Sequence, residues 1–236
     1  MVTGDAGGER RHAGSGLGSL ERWLRLESGQ MPRLNSDDER ERWNRKYSED
    51  SSAALRPPDP FLELAFAEFV RPLFPNGGRV LDLAGGTGRH AIWLARQGWE
   101  VTLIDISETG IERARQNAGP LASHIRFVVD DLTRFQASQT EVEARFDVVM
   151  AFFYLERSIF SEMVKAVRSG GFLVYKTYLK SQGRRLKNPA HLLEAGELLR
   201  MAEGLRILQY REVDGKAELV AEKVDDDTSC QFLGSA

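Results

Sequence analysis

Three aspartates stand at or just beyond the ends of short apolar runs. Asp82 lies near the end of the first run, Asp105 closes the second, and Asp131 follows the third. A carboxylate can accept both protons of a vicinal diol, or those of an amine, in charge-assisted hydrogen bonds. These side chains are therefore candidates to bind a polar small molecule such as a nucleoside.

Three glycines, Gly85, Gly86 and Gly88, follow the first run. Glycine lets the main chain adopt left-handed conformations and approach a ligand closely. The spacing Gly86-x-Gly88-x-x-Ala91, with Asp105 lying 19 residues after Gly86, satisfies the loose dinucleotide-binding pattern. That pattern alone is a weak signal, because a tight turn between a strand and a helix also needs glycines.

Strands and helices alternate from residue 79, which predicts an α/β fold with a parallel sheet covered on both faces. The predicted strands are Arg79–Leu83, Glu100–Ile104, Ile125–Val129, Phe146–Ala151, Gly171–Tyr178, Leu205–Glu212 and Ala217–Lys223. The predicted helices are Arg89–Gln97, Ser107–Ala118, Glu156–Val167 and Leu193–Ala202. Asp214-Gly215 separates the last two strands and predicts an antiparallel hairpin.

Composition divides the chain into four segments. Residues 1–30 are rich in Gly, Ser, Arg and Glu and are predicted to be a disordered extension, with Met31 as an alternative start. Residues 31–78 are predicted to form a helical cap, in which a capped helix begins at Ser36 and the stripe Phe61, Leu64 and Phe69 packs in the core. Residues 79–224 are the α/β domain, and 225–236 a flexible tail.

The overall composition limits the cellular compartment and the classes of binding partner that we expect. A formal net charge of −3 in 236 residues gives no reason to expect nucleic acid or a membrane surface as a bulk electrostatic partner. Cys230 is the only cysteine, so no disulfide forms within the chain. No apolar run is long enough for a membrane span or a signal peptide, and we expect a cytoplasmic protein, either a monomer or a weak homodimer.

Asp82, the glycine turn, Asp105 in Val101–Ser107 and Asp131 in Phe127–Leu132 together resemble the class I S-adenosylmethionine-dependent methyltransferases. The resemblance implies a Rossmann-like seven-stranded sheet of order 3-2-1-4-5-7-6, with the last strand antiparallel, and S-adenosyl-L-methionine as cofactor. It gives the ribose to Asp105 and the adenine to Asp131 and the Leu132 amide, with Asp130 as the alternative to Asp131. The implied cofactor-binding residues are Asp82, Ala84, Gly85, Gly86, Gly88, Arg89, Asp105, Ile106, Asp131, Leu132 and Phe152.

Four further segments are similar to the small methyltransferases of the tellurite-resistance and thiopurine-methyltransferase group. They are Arg42–Tyr47, Gly88–Ala95, Phe152–Arg157 and Leu186–Leu193. This similarity implies methyl transfer to a small-molecule acceptor, such as a thiol, a chalcogen oxyanion or another small nucleophile.

Four side chains are candidates to contact that acceptor: Trp43, Tyr47, Tyr154 and His191. Tyr154 is also the candidate catalytic residue, and a packing role is an equal alternative for it. The run Ala151–Tyr154 stands where enzymes that methylate nucleobase amines carry Asn-Pro-Pro-Tyr, which makes such acceptors improbable. No cluster of His and carboxylates predicts a metal site.

A group of basic residues follows the fifth predicted strand: Lys180, Arg184, Arg185 and Lys187. Such a run is usually a solvated segment, and otherwise favours an anionic acceptor. Two other functions remain open at this point. One is a nicotinamide-dependent oxidoreductase, for which no Tyr-x-x-x-Lys pair is present, and the other is a cofactor-binding module without catalysis.

Overall fold

The computed structural model describes residues 36–50, 55–137, 145–180 and 189–224. Its strands are β1 (Arg79–Leu83), β2 (Glu100–Asp105), β3 (Ile125–Val129), β4 (Phe146–Phe152), β5 (Val167–Tyr178), β6 (Arg206–Val213) and β7 (Lys216–Glu222). Its α-helices are α1 (Ser36–Glu49), α2 (Pro60–Ala65), α3 (Arg89–Ala95), α4 (Glu108–Ala118), α5 (Phe160–Ala166) and α6 (Glu197–Met201). The predicted extension 1–30, Met31, the tail 225–236 and the basic residues Arg184, Arg185 and Lys187 lie outside the described residues.

The strands form one seven-stranded sheet in the order β3-β2-β1-β4-β5-β7-β6. The pairs from β3 to β5 are parallel, while β7 runs antiparallel to both β5 and β6. This confirms the fold class and the strand order that the sequence predicts. The order reverses between β1 and β4, so the loops that follow these two strands diverge and leave a crevice at their carboxyl ends.

The central strands are buried on both faces because helices cover both sides of the sheet. Leu81, Leu83 and Val149 belong to the core on one face, and Val80 and Met150 to the core on the other. This alternation follows from the two-residue period of a strand. It accounts for the nearly continuous apolar runs in the sequence.

Most of the predicted elements differ from the structure by one or more residues at an end, and α5 begins at Phe160 instead of Glu156. The differences at β5 and α6 have an identifiable cause. β5 begins at Val167 instead of Gly171, because Val167 pairs with Phe146 before a register shift in β4. The helix predicted over Leu193–Ala202 is shortened to α6, because Leu193 forms an isolated bridge with Leu179 and is held in extended backbone. Both differences come from pairing with residues distant in the sequence, which local patterns do not report.

The predicted core stripe of the second helix was partly wrong. Phe61 is buried and the half-buried Phe69 packs against the core, but Leu64 is only half-buried. After α2 the chain makes a π-helical turn over Phe66–Val70, in which the Arg71 N–H donates to the Phe66 carbonyl. The extra residue in this turn rotates the apolar face. The buried side chains are therefore Phe61, Leu62, Ala65, Phe66 and Val70.

A buried group of charges ties the start of α2 to the sheet. The Asp59 side chain caps α2 by accepting from the Phe61 N–H at 3.0 Å. Lys176 Nζ on β5 donates to Asp59 at 2.7 Å and also pairs with Glu218 on β7 at 2.9 Å. Arg211 on β6 pairs with Glu218 from the other side. Each buried charge thus has an opposite partner, which compensates for its removal from water.

We expect Lys176→Met to destabilise the fold by about 3–5 kcal/mol, because it leaves Asp59 and Glu218 buried with less compensation. The matched control is Lys180→Met, since Lys180 pairs with Glu194 on the surface at 2.8 Å. Loss of an exposed pair costs about 0–1 kcal/mol. Urea unfolding of the two variants measures the difference, and equal losses would contradict the role given to the buried pair.

Candidate active site

The crevice between the loops after β1 and β4 gathers most of the residues that the sequence singles out. The loop after β1 contains the glycine turn and leads into α3. The loops after β2 and β3 carry the carboxylates Asp105 and Asp131 beside it. In open α/β sheets, ligands bind at this position relative to the strand order.

Backbone conformation explains the glycine turn. Gly86 and Gly88 have φ of +57° and +82°, in the left-handed region that favours glycine. A Cβ on Gly86 would lie 2.5 Å from the Tyr47 hydroxyl. A Cβ on Gly85, whose φ is negative, would lie 2.8 Å from Asp82 Oδ2. Side chains are therefore excluded from the loop both by conformation and by space. Ala84 also has a positive φ, of +56°, at the entry to the turn.

Asp105 joins the glycine turn to the loop after β2. Its Oδ2 accepts from the Gly86 N–H at 2.8 Å, and its Oδ1 accepts from the Ser107 N–H at 2.9 Å. Burial raises the pKa of Asp105, and the backbone hydrogen bonds from Ser107 and Gly86 act in the opposite direction. Two carboxylate oxygens offer about four acceptor positions. Asp105 can therefore still accept hydrogen bonds from two hydroxyl groups of a ligand.

Asp82 is buried with 1% of its surface exposed, and its Oδ2 has no hydrogen-bond partner among the described residues. Burial, and secondarily the charge of Asp105, raises its pKa from 3.8 to about 8, although the charge of Arg89 opposes this. The free protein therefore holds Asp82 mainly protonated at neutral pH. A cationic ligand group beside it would favour the ionised form.

Asp131 and Asp130 differ in burial, which favours Asp131 as the binding residue of the pair. Asp131 is 8% exposed, whereas Asp130 is exposed and accepts from the Asp131 N–H at 2.8 Å. Asp131 Oδ1 accepts from the Thr133 N–H and hydroxyl, while its Oδ2 has no hydrogen-bond partner in the described part of the chain. Burial raises the pKa of Asp131, but hydrogen bonding to its carboxylate, including that from Thr133, outweighs burial and lowers the pKa overall.

Helix α1 lies over the glycine turn and the start of α4. Asn44 Oδ1 accepts from the Ser107 hydroxyl at 2.5 Å and from the Thr109 N–H at 3.2 Å. The Tyr47 hydroxyl stands above Gly86, and its ring contacts Gly110 closely enough to exclude a Cβ there. The Trp43 ring stacks on Tyr47 at 5.6 Å between centroids. Tyr47, which the sequence predicts to contact the methyl acceptor, therefore lies against the glycine turn.

Phe152 and Phe153 take different positions at the end of β4. Phe152 is 7% exposed, and its ring packs 4.4 Å from the His90 ring and 6.2 Å from that of Phe61. The Phe153 ring lies beside the Arg89 guanidinium, whose Cζ is 5.8 Å from the ring centroid. At the start of α3, Phe153 thus contacts Arg89 and Phe152 contacts His90. The cofactor contact expected of Phe152 stays a prediction.

Tyr154 and His191 approach the site from the loops after β4 and β5. Tyr154 is half-buried, and its backbone carbonyl accepts from the Tyr175 hydroxyl at 2.7 Å. Burial, followed by the charges of Glu156 and Asp131, raises the pKa of Tyr154. His191 is exposed in the turn Pro189–His191, with Nδ1 3.4 Å from the Leu155 carbonyl oxygen. Leu132 is buried and Ile106 half-buried, each next to its predicted partner aspartate.

Sequence reasoning missed several residues that organise the site. His90 accepts from the Asp59 N–H through Nε2 at 3.3 Å, and burial lowers its pKa to about 3, so it is a neutral imidazole. Lys176 and Asn44 were also missed. A lysine inside the apolar strand Gly171–Tyr178 is a signal that could have indicated a buried ion pair. No comparable feature of the sequence indicates that Asn44 contacts the start of α4.

Comparison with known sequences agrees with this geometry. A family described as "Methyltransferase domain" matches residues 80–171, from β1 to the middle of β5. The match covers the glycine turn and all three aspartates, on a sheet of order 3-2-1-4-5-7-6. Residues 80–171 are therefore similar to a methyltransferase domain, in agreement with the resemblance to the class I S-adenosylmethionine-dependent methyltransferases.

Two relatives and one solved structure show the extent of the similarity. The chain is 28% identical over 157 residues to the tRNA 5-carboxymethoxyuridine methyltransferase of Escherichia coli K12, covering 63% of this chain and 58% of the relative. It is 30% identical over 140 residues to the glycine/sarcosine N-methyltransferase of Parasynechococcus marenigrum, covering 58% and 48%. The chain thus spans about half the length of these relatives.

The solved structure is a TehB-like SAM-dependent methyltransferase of Corynebacterium glutamicum. It aligns with a TM-score of 0.51 at 18% identity and covers 87% of this chain and 96% of that one. At this identity the likeness shows a shared fold. The matching family and the three aspartates indicate S-adenosylmethionine as the cofactor.

The residues at the crevice fit that cofactor. The buried Oδ2 atoms of Asp82 and Asp131 are acceptors without a hydrogen-bond partner in the described segments, and the cofactor carries ammonium and adenine N–H donors. Asp105 has acceptor capacity for the ribose hydroxyls. The same segments contain no group of three His, Cys, Asp or Glu side chains that could hold a metal ion. Nor do they include a helix long and apolar enough to cross a membrane.

We expect Asp131→Ala to weaken binding of S-adenosylhomocysteine by about tenfold or more, because a charge-assisted hydrogen bond contributes about 1.5–3 kcal/mol. Asp130→Ala, the matched control, removes the exposed carboxylate next to it and should change the affinity far less. Isothermal titration calorimetry measures both. A larger loss in Asp130→Ala would move the adenine contact to that residue.

Asp82 predicts a pH dependence in both stability and binding. Its raised pKa means that the free folded protein keeps a proton which the unfolded chain releases above about pH 4. The contribution of Asp82 to the free energy of unfolding is therefore lost as pH rises from about 4 through about 8. Binding of an ammonium group requires the ionised form, so affinity for S-adenosylhomocysteine should rise by up to about tenfold per pH unit below pH 8.

Titrations at pH 6, 7 and 8 test this dependence, with Asp82→Asn as the matched variant. The variant should bind more weakly at pH 8 and lose the dependence on pH. A wild-type affinity that does not change between pH 6 and pH 8 would contradict the proton release assigned to Asp82.

Proposed function

We propose that this protein transfers a methyl group from S-adenosylmethionine to a small-molecule acceptor. The observation that carries the proposal is the convergence of Asp82, Asp105 and Asp131 with the glycine turn at the point where the strand order reverses. When bound, the cofactor supplies an electrophilic methyl group on a sulfonium. The protein then has to bind, orient and shield the two reactants.

The reaction is an in-line displacement that needs little further chemistry from the protein. The acceptor lone pair forms the new bond to the methyl carbon while the carbon–sulfur bond breaks, and S-adenosylhomocysteine leaves. A proton on the acceptor passes to solvent or to a base. Burial raises the pKa values of Tyr47 and Tyr154, so both remain neutral phenols that can donate hydrogen bonds. This favours an acceptor that is already nucleophilic at neutral pH.

Two observations bear on the class of acceptor. Ala151–Tyr154 lacks the Asn-Pro-Pro-Tyr sequence expected for methylation of nucleobase amines, and the formal net charge of −3 does not favour nucleic acid. One relative is named for a tRNA nucleoside and the other for glycine and sarcosine, so the relatives include both kinds of acceptor. The composition of this chain supports the small-molecule class.

The proposal is tested first by cofactor binding. S-Adenosylhomocysteine at about 100 times its dissociation constant should stabilise the protein by about 2.7 kcal/mol, which corresponds to a rise in Tm of roughly 5–10 °C. NAD should not raise Tm. Stabilisation by NAD without stabilisation by S-adenosylhomocysteine would favour an oxidoreductase instead.

Turnover is then measured as S-adenosylhomocysteine released from S-adenosylmethionine with thiols, selenite, tellurite, halides, small carboxylates and glycine. Asp105→Ala is the control for contaminating activity and should abolish the signal, because it removes the carboxylate that accepts from Gly86 and Ser107. Turnover with total RNA alone would refute the small-molecule acceptor. Cofactor binding without turnover on any of these would favour a binding module.

A further inference from the structure

A half-buried cation at the crevice has no ionic partner. Arg89 is the first residue of α3, and within the described ranges no carboxylate or carbonyl accepts a hydrogen bond from its guanidinium. Its recorded contact is the face of Phe153, 5.8 Å from Cζ to the ring centroid. Guanidinium donors that contact a ring by one face can still donate along the edge.

The buried charges of Lys176, Asp59 and Glu218 are already matched. Lys176 pairs with Asp59 and Glu218, and Arg211 also pairs with Glu218. Asp105 uses both carboxylate oxygens to accept from Gly86 and Ser107. Arg89 influences the pKa of Asp82 through its charge, but it forms no ion pair with that residue in the described structure. Among the described residues, the positive charge of Arg89 therefore has no anionic partner and is available to a ligand.

Phe153 is held in an unfavourable backbone conformation next to this cation. Its φ is +60°, which is rare for a bulky side chain, and its N–H donates to the Lys176 carbonyl at 2.7 Å. Its ring lies 5.0 Å from the Tyr178 ring at the end of β5. Such strain is typical of functional sites when surrounding contacts enforce it. Here it places an aromatic surface, only half-buried, between the ends of β4 and β5.

We propose that Arg89, Phe153 and Tyr178 form the acceptor subsite, and that the methyl acceptor is a small molecule bearing a carboxylate or a similar oxyanion. Arg89 donates to the oxyanion, for which the guanidinium fork is well suited. The rest of the acceptor lies on Phe153 and Tyr178. This inference rests on the proposed methyl transfer and names its substrate class. The resemblance assigns Arg89 to the cofactor, whereas this proposal places Arg89 in contact with the methyl acceptor.

The position of the three residues supports the acceptor over the cofactor. Phe153 follows β4 and Tyr178 ends β5, whereas Asp82 lies on β1, Asp105 ends β2 and Asp131 lies beyond β3. Arg89 begins α3 directly after the glycine turn that follows β1, and β1 lies between β2 and β4 in the sheet. An acceptor at the ends of β4 and β5 and a cofactor across the ends of β1 to β3 would meet at the crevice.

The test uses benzoate and benzamide, which share size and shape but differ in charge, titrated into protein saturated with S-adenosylhomocysteine. Wild type should bind benzoate at least tenfold more tightly than benzamide. Arg89→Gln should remove that preference and should change affinity for S-adenosylhomocysteine less than affinity for benzoate. Arg96→Gln is the matched control, since Arg96 is an exposed arginine at the other end of α3, and it should keep the preference.

A second variant tests the aromatic part of the subsite. Phe153→Leu keeps the apolar volume but removes the ring, and should weaken benzoate binding several-fold while S-adenosylhomocysteine still binds, which also shows that the variant is folded. Unchanged benzoate affinity in Arg89→Gln overturns the proposal. So does a loss of S-adenosylhomocysteine affinity as large as the loss for benzoate, which would place Arg89 at the cofactor.

Failure of the subsite and failure of the proposed function give different results. If wild type binds S-adenosylhomocysteine but none of benzoate, mercaptoacetate, glycine or selenite, the subsite is wrong and methyl transfer stands. If wild type does not bind S-adenosylhomocysteine, the proposed function itself fails. Turnover of RNA that benzoate does not inhibit would also reject the subsite.

Discussion

The carboxylate of Asp105 is the interaction on which the site depends. One oxygen accepts from Gly86 and the other from Ser107, so a single buried side chain holds the glycine turn to the start of α4. Ser107 in turn caps α4 by accepting from the Gly110 N–H and donates to Asn44 of α1. The position of Tyr47 above Gly86 follows from this docking. The Asp105 carboxylate thus links the glycine turn and the start of α4 directly, and α1 through Ser107.

The buried carboxylates at the crevice destabilise the free protein until a ligand supplies their missing hydrogen-bond partners. Asp82, Asp105 and Asp131 are all buried, and Asp82 and Asp131 each have one oxygen without a hydrogen-bond partner in the described residues. Burying a carboxylate without partners destabilises the ionised form. Arg89 is a cation without an anionic partner among the described residues. The incompletely paired charges at the crevice therefore lower the stability of the fold. In contrast, Lys176 on β5 neutralises both Asp59 and Glu218.

Local patterns in the sequence predicted the strands of the sheet and the loop chemistry well. β1 and β3 have the predicted bounds, and Asp105 and Asp131 follow the strands expected of them. These features depend on short-range alternation and on turn residues, which the sequence displays directly. The stripe Phe61, Leu64 and Phe69 was less well predicted because a π-helical turn rotates the helix face. The ends of β5 and α6 depend on pairing with Phe146 and Leu179, which no local pattern reports.

The sequence alone determined the class of fold, because alternating strands and helices follow from residue types and spacing along single elements. Its resemblance to a known family implied the strand order, which the structure confirms, and the cofactor. Only the tertiary structure decided which groups are buried without partners. The proton on Asp82, the choice of Asp131 over Asp130, and the meeting of Arg89 with Phe153 depend on distances between elements far apart in the chain. Burial and charge compensation are properties of the folded surroundings, so a sequence pattern names the chemical groups and the fold sets their energies.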